Sequence, residues 1–169
     1  MEKKVLIPSD ISQPGKDYLA EKGYTIKMGR GTDEQTILED VADCDALLAR
    51  NEHITRAIME AAPRLKVISK HGVGLDKIDL DAARELNIWV TNGPLSNTVA
   101  VAEHTMALIL GWFKNIVYLD TFLKARRDSR ELCYSGGELL GKTAGIIGLG
   151  AIGQRVASLC QAFGMNVLG

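Results

Sequence analysis

Short apolar runs alternate with amphipathic stretches over roughly the first half of the chain. Five of the apolar runs predict β-strands, at residues 5–8, 24–28, 46–49, 65–69 and 88–91. The stretches between them have helical spacing, over residues 13–22, 32–42, 55–61 and 79–86, and Thr32-Asp33-Glu34 has the capping and acidic residues of a helix start. Strands that alternate with helices form a parallel sheet covered on both faces. We therefore expect a flavodoxin-like α/β domain over residues 1–97.

A long apolar helix is predicted after this domain. Asn92-Gly93-Pro94 interrupts the pattern, and one continuous helix should then run over residues 98–126. Its apolar positions are too numerous for one narrow stripe, so more than one face should be covered, by the neighbouring domain and by a partner subunit. We expect a homodimer formed through this helix. Charged residues such as Glu103 and Lys114 interrupt the apolar run, which argues against a membrane span.

The last part of the chain has the pattern of a β-α-β unit. A buried strand is predicted over residues 142–147, a helix over 154–163 and a second strand over 165–169. The turn between the first strand and the helix is Gly148-Leu149-Gly150-Ala151-Ile152-Gly153, which has the G-x-G-x-x-G spacing. In this context the pattern predicts the first βαβ unit of an NAD-binding Rossmann domain, so that residues 98–169 form the start of a second domain.

Each glycine of this turn has a physical role in dinucleotide binding. Gly148 permits the tight turn, Gly150 lets the backbone approach a pyrophosphate, and Gly153 allows close packing of helix and strand. The free N–H groups and positive dipole at the helix start favour phosphate. The alternative is a turn that merely connects strand and helix. The acidic residue that distinguishes NAD from NADP would follow the second strand and cannot be read from residues 1–169. NAD is therefore the expected cofactor by the glycine pattern alone, and NADP is not excluded.

Charge and composition narrow the function classes. The chain has 20 basic and 21 acidic residues, a net charge of -1 and 5% aromatic residues, which gives no electrostatic or stacking case for a nucleic-acid partner. Its three cysteines, Cys44, Cys133 and Cys160, form no C-x-x-C pair and are expected to be buried free thiols in a reducing cytoplasm. No residue set suggests a metal site.

Three further segments carry a family resemblance: residues 70–79 (KHGVGLDKID), 91–94 (TNGP) and 97–105 (NTVAVAEHT). Together with the glycine turn, in this order and spacing, they resemble the D-isomer-specific 2-hydroxyacid dehydrogenases, with phosphoglycerate dehydrogenase as the nearest subgroup. The resemblance covers nearly the whole chain. Asp76 and Asp79, within the first segment, are expected to cap the following helix rather than to act in chemistry.

The resemblance implies roles for particular residues. The loop Gly72-Val73-Gly74 would hold the substrate carboxylate on backbone N–H groups, an arrangement that an anion nest also explains physically. Val73 would also lie near the nicotinamide, and Val101 would line the nicotinamide pocket between the two domains. Asn51, past the third predicted strand, and His71, next to the glycine loop, are candidates to border the substrate cleft; the alternatives are an ordinary loop residue for Asn51 and a solvent-facing side chain for His71. Ala151 and Ile152 would contact the pyrophosphate through their backbone, although many members of the family have arginine at the Ala151 position.

The implied reaction is a reversible hydride transfer between NAD and a 2-hydroxy acid, of which 3-phosphoglycerate is one candidate. The family uses an arginine and a histidine–glutamate pair, and none of these three can be mapped onto residues 1–169. We therefore place no catalytic residue in the chain, interpret His104 as structural, and expect a fragment that is inactive by itself. Two alternatives stay open: a non-enzymatic NAD-sensing, corepressor-like protein on the same fold, and a dimerising remnant built around the long helix.

Overall fold

The computed structural model describes residues 2–125 and 136–169. The chain forms two compact units, Met1–Ser96 and Asn97–Gly169. The change from the first to the second unit lies one residue before the boundary expected from the sequence. Each unit has a parallel sheet and a hydrophobic core of its own.

The first unit is a five-stranded parallel sheet with four helices. Its strands have the order β2-β1-β3-β4-β5, which is the flavodoxin-like order. In chain order the elements are β1 (Lys4–Ile7), α1 (Gln13–Glu21), β2 (Thr25–Met28), α2 (Glu34–Val41), β3 (Ala46–Ala49), α3 (Arg56–Glu60), β4 (Val67–Lys70), α4 (Leu80–Glu85) and β5 (Trp89–Thr91). This confirms the predicted fold class.

The core of the first unit lies on one face of its sheet. Leu6, Leu47 and Ile68 from β1, β3 and β4 pack there against apolar residues of α2, α3 and α4. Because strand side chains alternate, the neighbouring positions point to the other face. That face is buried at β1 but is only partly covered from β3 to β5, where Trp89 is exposed. The prediction of cover on both faces is therefore correct for one face and only partly correct for the other.

Helix starts in this unit follow the predicted capping. Asp33 accepts a hydrogen bond from the Thr36 N–H, and Asp79 accepts one of 2.9 Å from the Ala82 N–H. These carboxylates satisfy N–H groups that have no partner inside the helix. Asp79 thus has the capping role that we expected. Asp76 does not cap the helix, because Asp79 is the N-cap residue and Asp76 lies in the preceding loop.

The described residues of the second unit form three helices and a two-stranded sheet. Its elements are α5 (Thr98–Phe113), α6 (Ile116–Lys124), β6 (Thr143–Gly145), α7 (Ala151–Ala162) and β7 (Asn166–Leu168). Strands β6 and β7 pair in parallel. A small core unites α5 with α7 and includes Ala102, Met106, Val156 and Cys160. The predicted β-α-β unit is therefore present.

The prediction of one continuous helix over residues 98–126 is wrong. Helix α5 ends before Lys114 and Asn115, and α6 continues at an angle of 58° to it. Asn115 has a left-handed backbone with φ of 48°, a conformation that asparagine tolerates better than most residues and that ends a helix. Residue 126 lies outside the described residues. Among those described, no single helix is long and apolar enough to cross a bilayer, whereas the bent pair α5 and α6 together meets those two criteria.

Strand β6 is shorter and more exposed than predicted. It ends at Gly145, and Ile147 is fully exposed although a buried strand was expected to extend through it. The reason is that β6 pairs only with β7 among the described residues, so only part of each strand is covered. Two strands bury less apolar surface than a full nucleotide-binding sheet would.

The cysteines behave as structural residues where they are described. Cys44 and Cys160 are buried free thiols. Burial raises the pKa of the Cys44 thiol to about 11 and also raises the pKa of Cys160, so neither is a reactive thiolate near neutral pH. Cys133 lies outside the described residues.

Candidate functional site

The first candidate site is the loop that follows β4. His71, Gly72, Val73 and Gly74 lie at the carboxyl end of that strand, where parallel sheets present ligands. Gly72 has φ of 142°, which only glycine adopts easily, and its carbonyl accepts a hydrogen bond of 2.9 Å from the Gly93 N–H. The Asn92 side chain donates to the Val73 carbonyl at 2.7 Å. The carbonyl groups of Gly72 and Val73 therefore fix the loop in place through hydrogen bonds.

The N–H groups of this loop are left open. Within the described part of the chain, the N–H groups of Val73 and Gly74 donate to no protein acceptor. Both residues are exposed. Consecutive backbone N–H groups of this kind form a concave anion site.

The predicted substrate residues come together at one hollow of about 260 Å³. Asn51 reaches it from the end of β3, and His71, Gly72, Val73 and Gly74 reach it from the end of β4. Lys70, Asp76 and Lys77 complete its lining. The geometry therefore places all five proposed substrate-binding residues around the same space.

Two lysines at this hollow were not anticipated from the sequence. The Lys70 ammonium donates to the Arg50 carbonyl, and the Lys77 ammonium donates to the Asn51 carbonyl at 2.9 Å. Neither lysine forms a salt bridge among the described residues. Their positive charges therefore remain available to an anion in the hollow. The sequence signal that could have identified these two lysines is their position on either side of the glycine loop.

A buried carboxylate, Glu52, also escaped the sequence analysis. It lies just after β3 with only 5% of its surface exposed. One oxygen accepts a hydrogen bond from the Ser9 hydroxyl at the end of β1, and the other accepts one of 2.6 Å from the Arg50 N–H. Burial alone would raise the pKa of Glu52, but these bonds and those from the Asn51 and Glu52 N–H groups lower it below its ordinary value. Glu52 is therefore ionised near neutral pH.

The second candidate site is the glycine turn between β6 and α7. Gly148 has φ of 97°, so a side chain at this position would be strained. A Cβ at Gly153 would lie 2.1 Å from the Gly148 carbonyl oxygen, so close approach of helix and turn requires glycine there. The Gln154 side chain donates to the Leu149 carbonyl at 2.8 Å and closes the turn. These two glycines are explained by the fold itself.

Gly150 is different, because nothing in residues 2–125 and 136–169 requires a glycine at this position. Its φ is -72°, an ordinary value, and a Cβ built there would meet no atom within 4 Å. Gly150 is the N-cap of the twelve-residue helix α7, whose first N–H groups, including those of Ala151 and Ile152, have no partner within the helix. The open space therefore lies where a phosphate would approach.

The remaining predicted residues have less defined surroundings. Val101 lies in the first turns of α5, partly exposed, and its carbonyl accepts a hydrogen bond of 2.8 Å from the Thr105 hydroxyl. A hollow of about 450 Å³ beside the glycine turn is lined by Thr105 and Ile152 but not by Val101. His53 and His104 are exposed. Residues 2–125 and 136–169 contain no cluster of His, Cys, Asp or Glu that could hold a metal ion.

Comparison with known proteins extends this picture. The family model described as the D-isomer specific 2-hydroxyacid dehydrogenase catalytic domain matches residues 5–164. D-3-phosphoglycerate dehydrogenase of Methanocaldococcus jannaschii is 40% identical over 98% of this chain and 32% of its own length. The enzyme of the same name from Archaeoglobus fulgidus is 37% identical over 98% of this chain and 31% of its own length. The chain thus spans about a third of these two relatives.

Solved structures give the same relationship. A Thermus thermophilus protein superposes with a TM-score of 0.87 at 32% identity, covering 97% of this chain and 54% of its own. A 3-phosphoglycerate dehydrogenase of Entamoeba histolytica with bound NAD⁺ has a TM-score of 0.77 at 25% identity, covering 99% and 53%. An acyclic imino acid reductase in complex with NADPH and D-Arg is also similar, with a TM-score of 0.83 at 26% identity, covering 96% and 54%. From its two glycine loops, its fold and these matches, the chain belongs to the D-isomer-specific 2-hydroxyacid dehydrogenase family.

Proposed function

We propose that this chain supplies the substrate-carboxylate loop and the dinucleotide turn of an NAD-dependent dehydrogenase that interconverts a D-2-hydroxy acid and its 2-keto acid. The observation that carries the proposal is Gly150, whose lack of a side chain is unexplained by backbone strain or protein packing and is explained by a pyrophosphate. The open N–H groups of Val73 and Gly74 support the substrate half of the proposal.

The proposed division of labour follows from the chemistry of each loop. The carboxylate of the acid binds the Val73 and Gly74 N–H groups, and Lys70 and Lys77 add positive charge beside it. When bound at the glycine turn, NAD would supply the acceptor for the C2 hydrogen of the acid as hydride, and the hydroxyl proton would need a base. We assign neither that base nor a group polarising the C2 oxygen to residues 1–169. The chain alone is therefore expected to bind both ligands without turnover.

This division can be tested on the chain itself by ¹H–¹⁵N NMR. NADH is expected to shift the amides of residues 148–153, and D-glycerate those of residues 72–74. A parallel titration with NADPH measures the cofactor preference. NADH mixed with pyruvate, glyoxylate or hydroxypyruvate should show no loss of absorbance at the nicotinamide band. Unperturbed amides at the glycine turn would refute dinucleotide binding, and turnover would refute the absence of catalytic groups.

We also propose that the chain forms a homodimer through α5 and α6. These helices expose an apolar surface made by Leu108, Trp112, Ile116, Val117 and Tyr118. It surrounds a hollow of about 770 Å³, and large exposed patches of this kind usually mark an interface. An uncharged, tryptophan-containing patch suits a second copy of itself, because an isologous contact places each residue against the same surface of its partner.

Trp112→Glu is expected to convert this dimer into a monomer. A carboxylate placed in the apolar interface would be desolvated without a partner, which costs several kcal/mol. Light scattering coupled to size exclusion measures the mass. Trp89→Glu is the matched control, because Trp89 is equally exposed but lies in the first unit, and its mass should equal that of the unsubstituted chain. A monomeric unsubstituted chain, or a dimeric Trp112→Glu variant, would contradict the proposal.

A further inference from the structure

Three consecutive peptide units between Ala49 and Glu52 are held at both ends. The Arg50 N–H donates to the buried Glu52 carboxylate at 2.6 Å, and the N–H groups of Asn51 and Glu52 lie close enough to this carboxylate to help lower its pKa. The carbonyl groups of these peptide units all accept from one segment of the chain. The Ala49 carbonyl accepts from the His71 N–H at 2.8 Å, the Arg50 carbonyl from the Lys70 ammonium, and the Asn51 carbonyl from the Lys77 ammonium at 2.9 Å.

The two sets of bonds depend on each other through peptide geometry. In a trans peptide the N–H and the C=O point in opposite directions, and the peptide bonds here are trans. The Arg50 N–H is drawn to Glu52 and the next two N–H groups face the same carboxylate, so the three carbonyls turn the other way, towards residues 70–77. A charged acceptor makes a stronger hydrogen bond than a neutral one, so the buried carboxylate favours this orientation.

We propose that Glu52 is a positioning residue for the substrate-carboxylate loop: it sets the three carbonyls that hold His71, Lys70 and Lys77 in place around Gly72–Gly74. The inference rests on the proposed function, because it assumes that this loop binds the carboxylate of the acid. Glu52 itself contacts no substrate. It acts through the peptide units of residues 49–52, with the Ser9 hydroxyl fixing one of its oxygens.

The structure also explains why a carboxylate is needed rather than an amide. Glu52 has no salt-bridge partner in the described part of the chain, and all its recorded partners are N–H or O–H donors. A glutamine would present one oxygen and one NH₂ group to them. The Ser9 hydroxyl can turn to accept from that NH₂ group, which leaves a neutral oxygen for the N–H groups, so their hold on the peptide units and on the carbonyls that face residues 70–77 becomes weaker.

The test is the affinity of the full 169-residue chain for D-glycerate at constant ionic strength, followed by NMR at the Val73 and Gly74 amides. Glu52→Gln should weaken binding by about fivefold or more, the size of an ordinary coupling between sites. Ser9→Ala, which keeps the carboxylate and removes one donor, should weaken it less. Lys77→Met by itself should also weaken D-glycerate binding. The double variant Glu52→Gln with Lys77→Met should bind only slightly more weakly than Glu52→Gln, because both changes act on the contact between the Lys77 ammonium and the Asn51 carbonyl. NADH shifts at residues 148–153 should stay unchanged in every variant.

Asp40→Asn is the matched control. Asp40 is the other buried carboxylate of the first unit and is held by Arg30, away from the loop. Its substitution should lower thermal stability and leave D-glycerate affinity unchanged. Equal weakening by Asp40→Asn and Glu52→Gln, or full affinity in Glu52→Gln, would overturn the positioning role while leaving the proposed function intact. If Glu52→Gln does not fold, unchanged affinity in Ser9→Ala overturns it. Absence of D-glycerate binding to the unsubstituted chain would overturn the carboxylate site, and this inference with it.

Discussion

Gly150→Asp is expected to weaken dinucleotide binding while leaving the helix it caps as stable as before, or slightly more stable. Aspartate is a good N-cap residue, and Gly150 already has the extended backbone that an N-cap adopts. A carboxylate there would occupy the open space, take up the N–H groups of the first turn and repel phosphate. Charge repulsion at contact distance costs about 1–4 kcal/mol, so NADH affinity should fall by roughly fivefold to nearly a thousandfold.

Calorimetric titration of NADH and thermal unfolding together measure this prediction. Ser158→Asp is the control for charge, because Ser158 is exposed on the same helix about two turns further along. Its added charge is largely screened from the turn at physiological salt and should change affinity little. Unaltered NADH binding by Gly150→Asp would show that the open space at the helix start is not the pyrophosphate site.

Gly153→Ala, unlike Gly150→Asp, is expected to lower stability, because it damages the fold of the second unit directly. The new Cβ would lie 2.1 Å from the Gly148 carbonyl oxygen, so backbone must move on one side or the other. Overpacking of this kind costs about 1–3 kcal/mol, a large part of the stability of a small unit. Residue-resolved hydrogen exchange should show faster exchange in α5, α7 and β6, with the first unit unaffected.

Gly145→Ala provides the comparison for Gly153→Ala. Gly145 lies in β6, close to the same turn, and a Cβ there meets nothing within 4 Å. Its backbone is not in the positive-φ region, so alanine should change stability by less than about 1 kcal/mol. Equal exchange rates in the two variants would mean that helix α7 does not pack against the turn as closely as the structure shows.

Local sequence patterns were sufficient to predict most elements of both units. Each predicted strand overlaps an observed one, and Asp79 caps α4 as expected. These features depend on the spacing of neighbouring residues, on side-chain capping and on backbone preference, all of which act within a few positions. The glycine turn was visible for the same reason. Only the structure shows that Gly153 is required by packing of the turn, whereas Gly150 has open space around it and is available to a ligand.

Other features were decided by contacts between residues far apart in the chain. Ile147 is exposed because β6 pairs with β7 alone among the described residues. Glu52 has the sequence context of a solvated loop residue, yet Ser9, 43 positions away, bonds to it in the buried interior. The sequence by itself determined which segments become strands, helices and glycine loops, because those are local preferences. The tertiary structure decided which charges are buried and which carbonyls meet which lysines, because parallel pairing brings the ends of β1, β3 and β4 together.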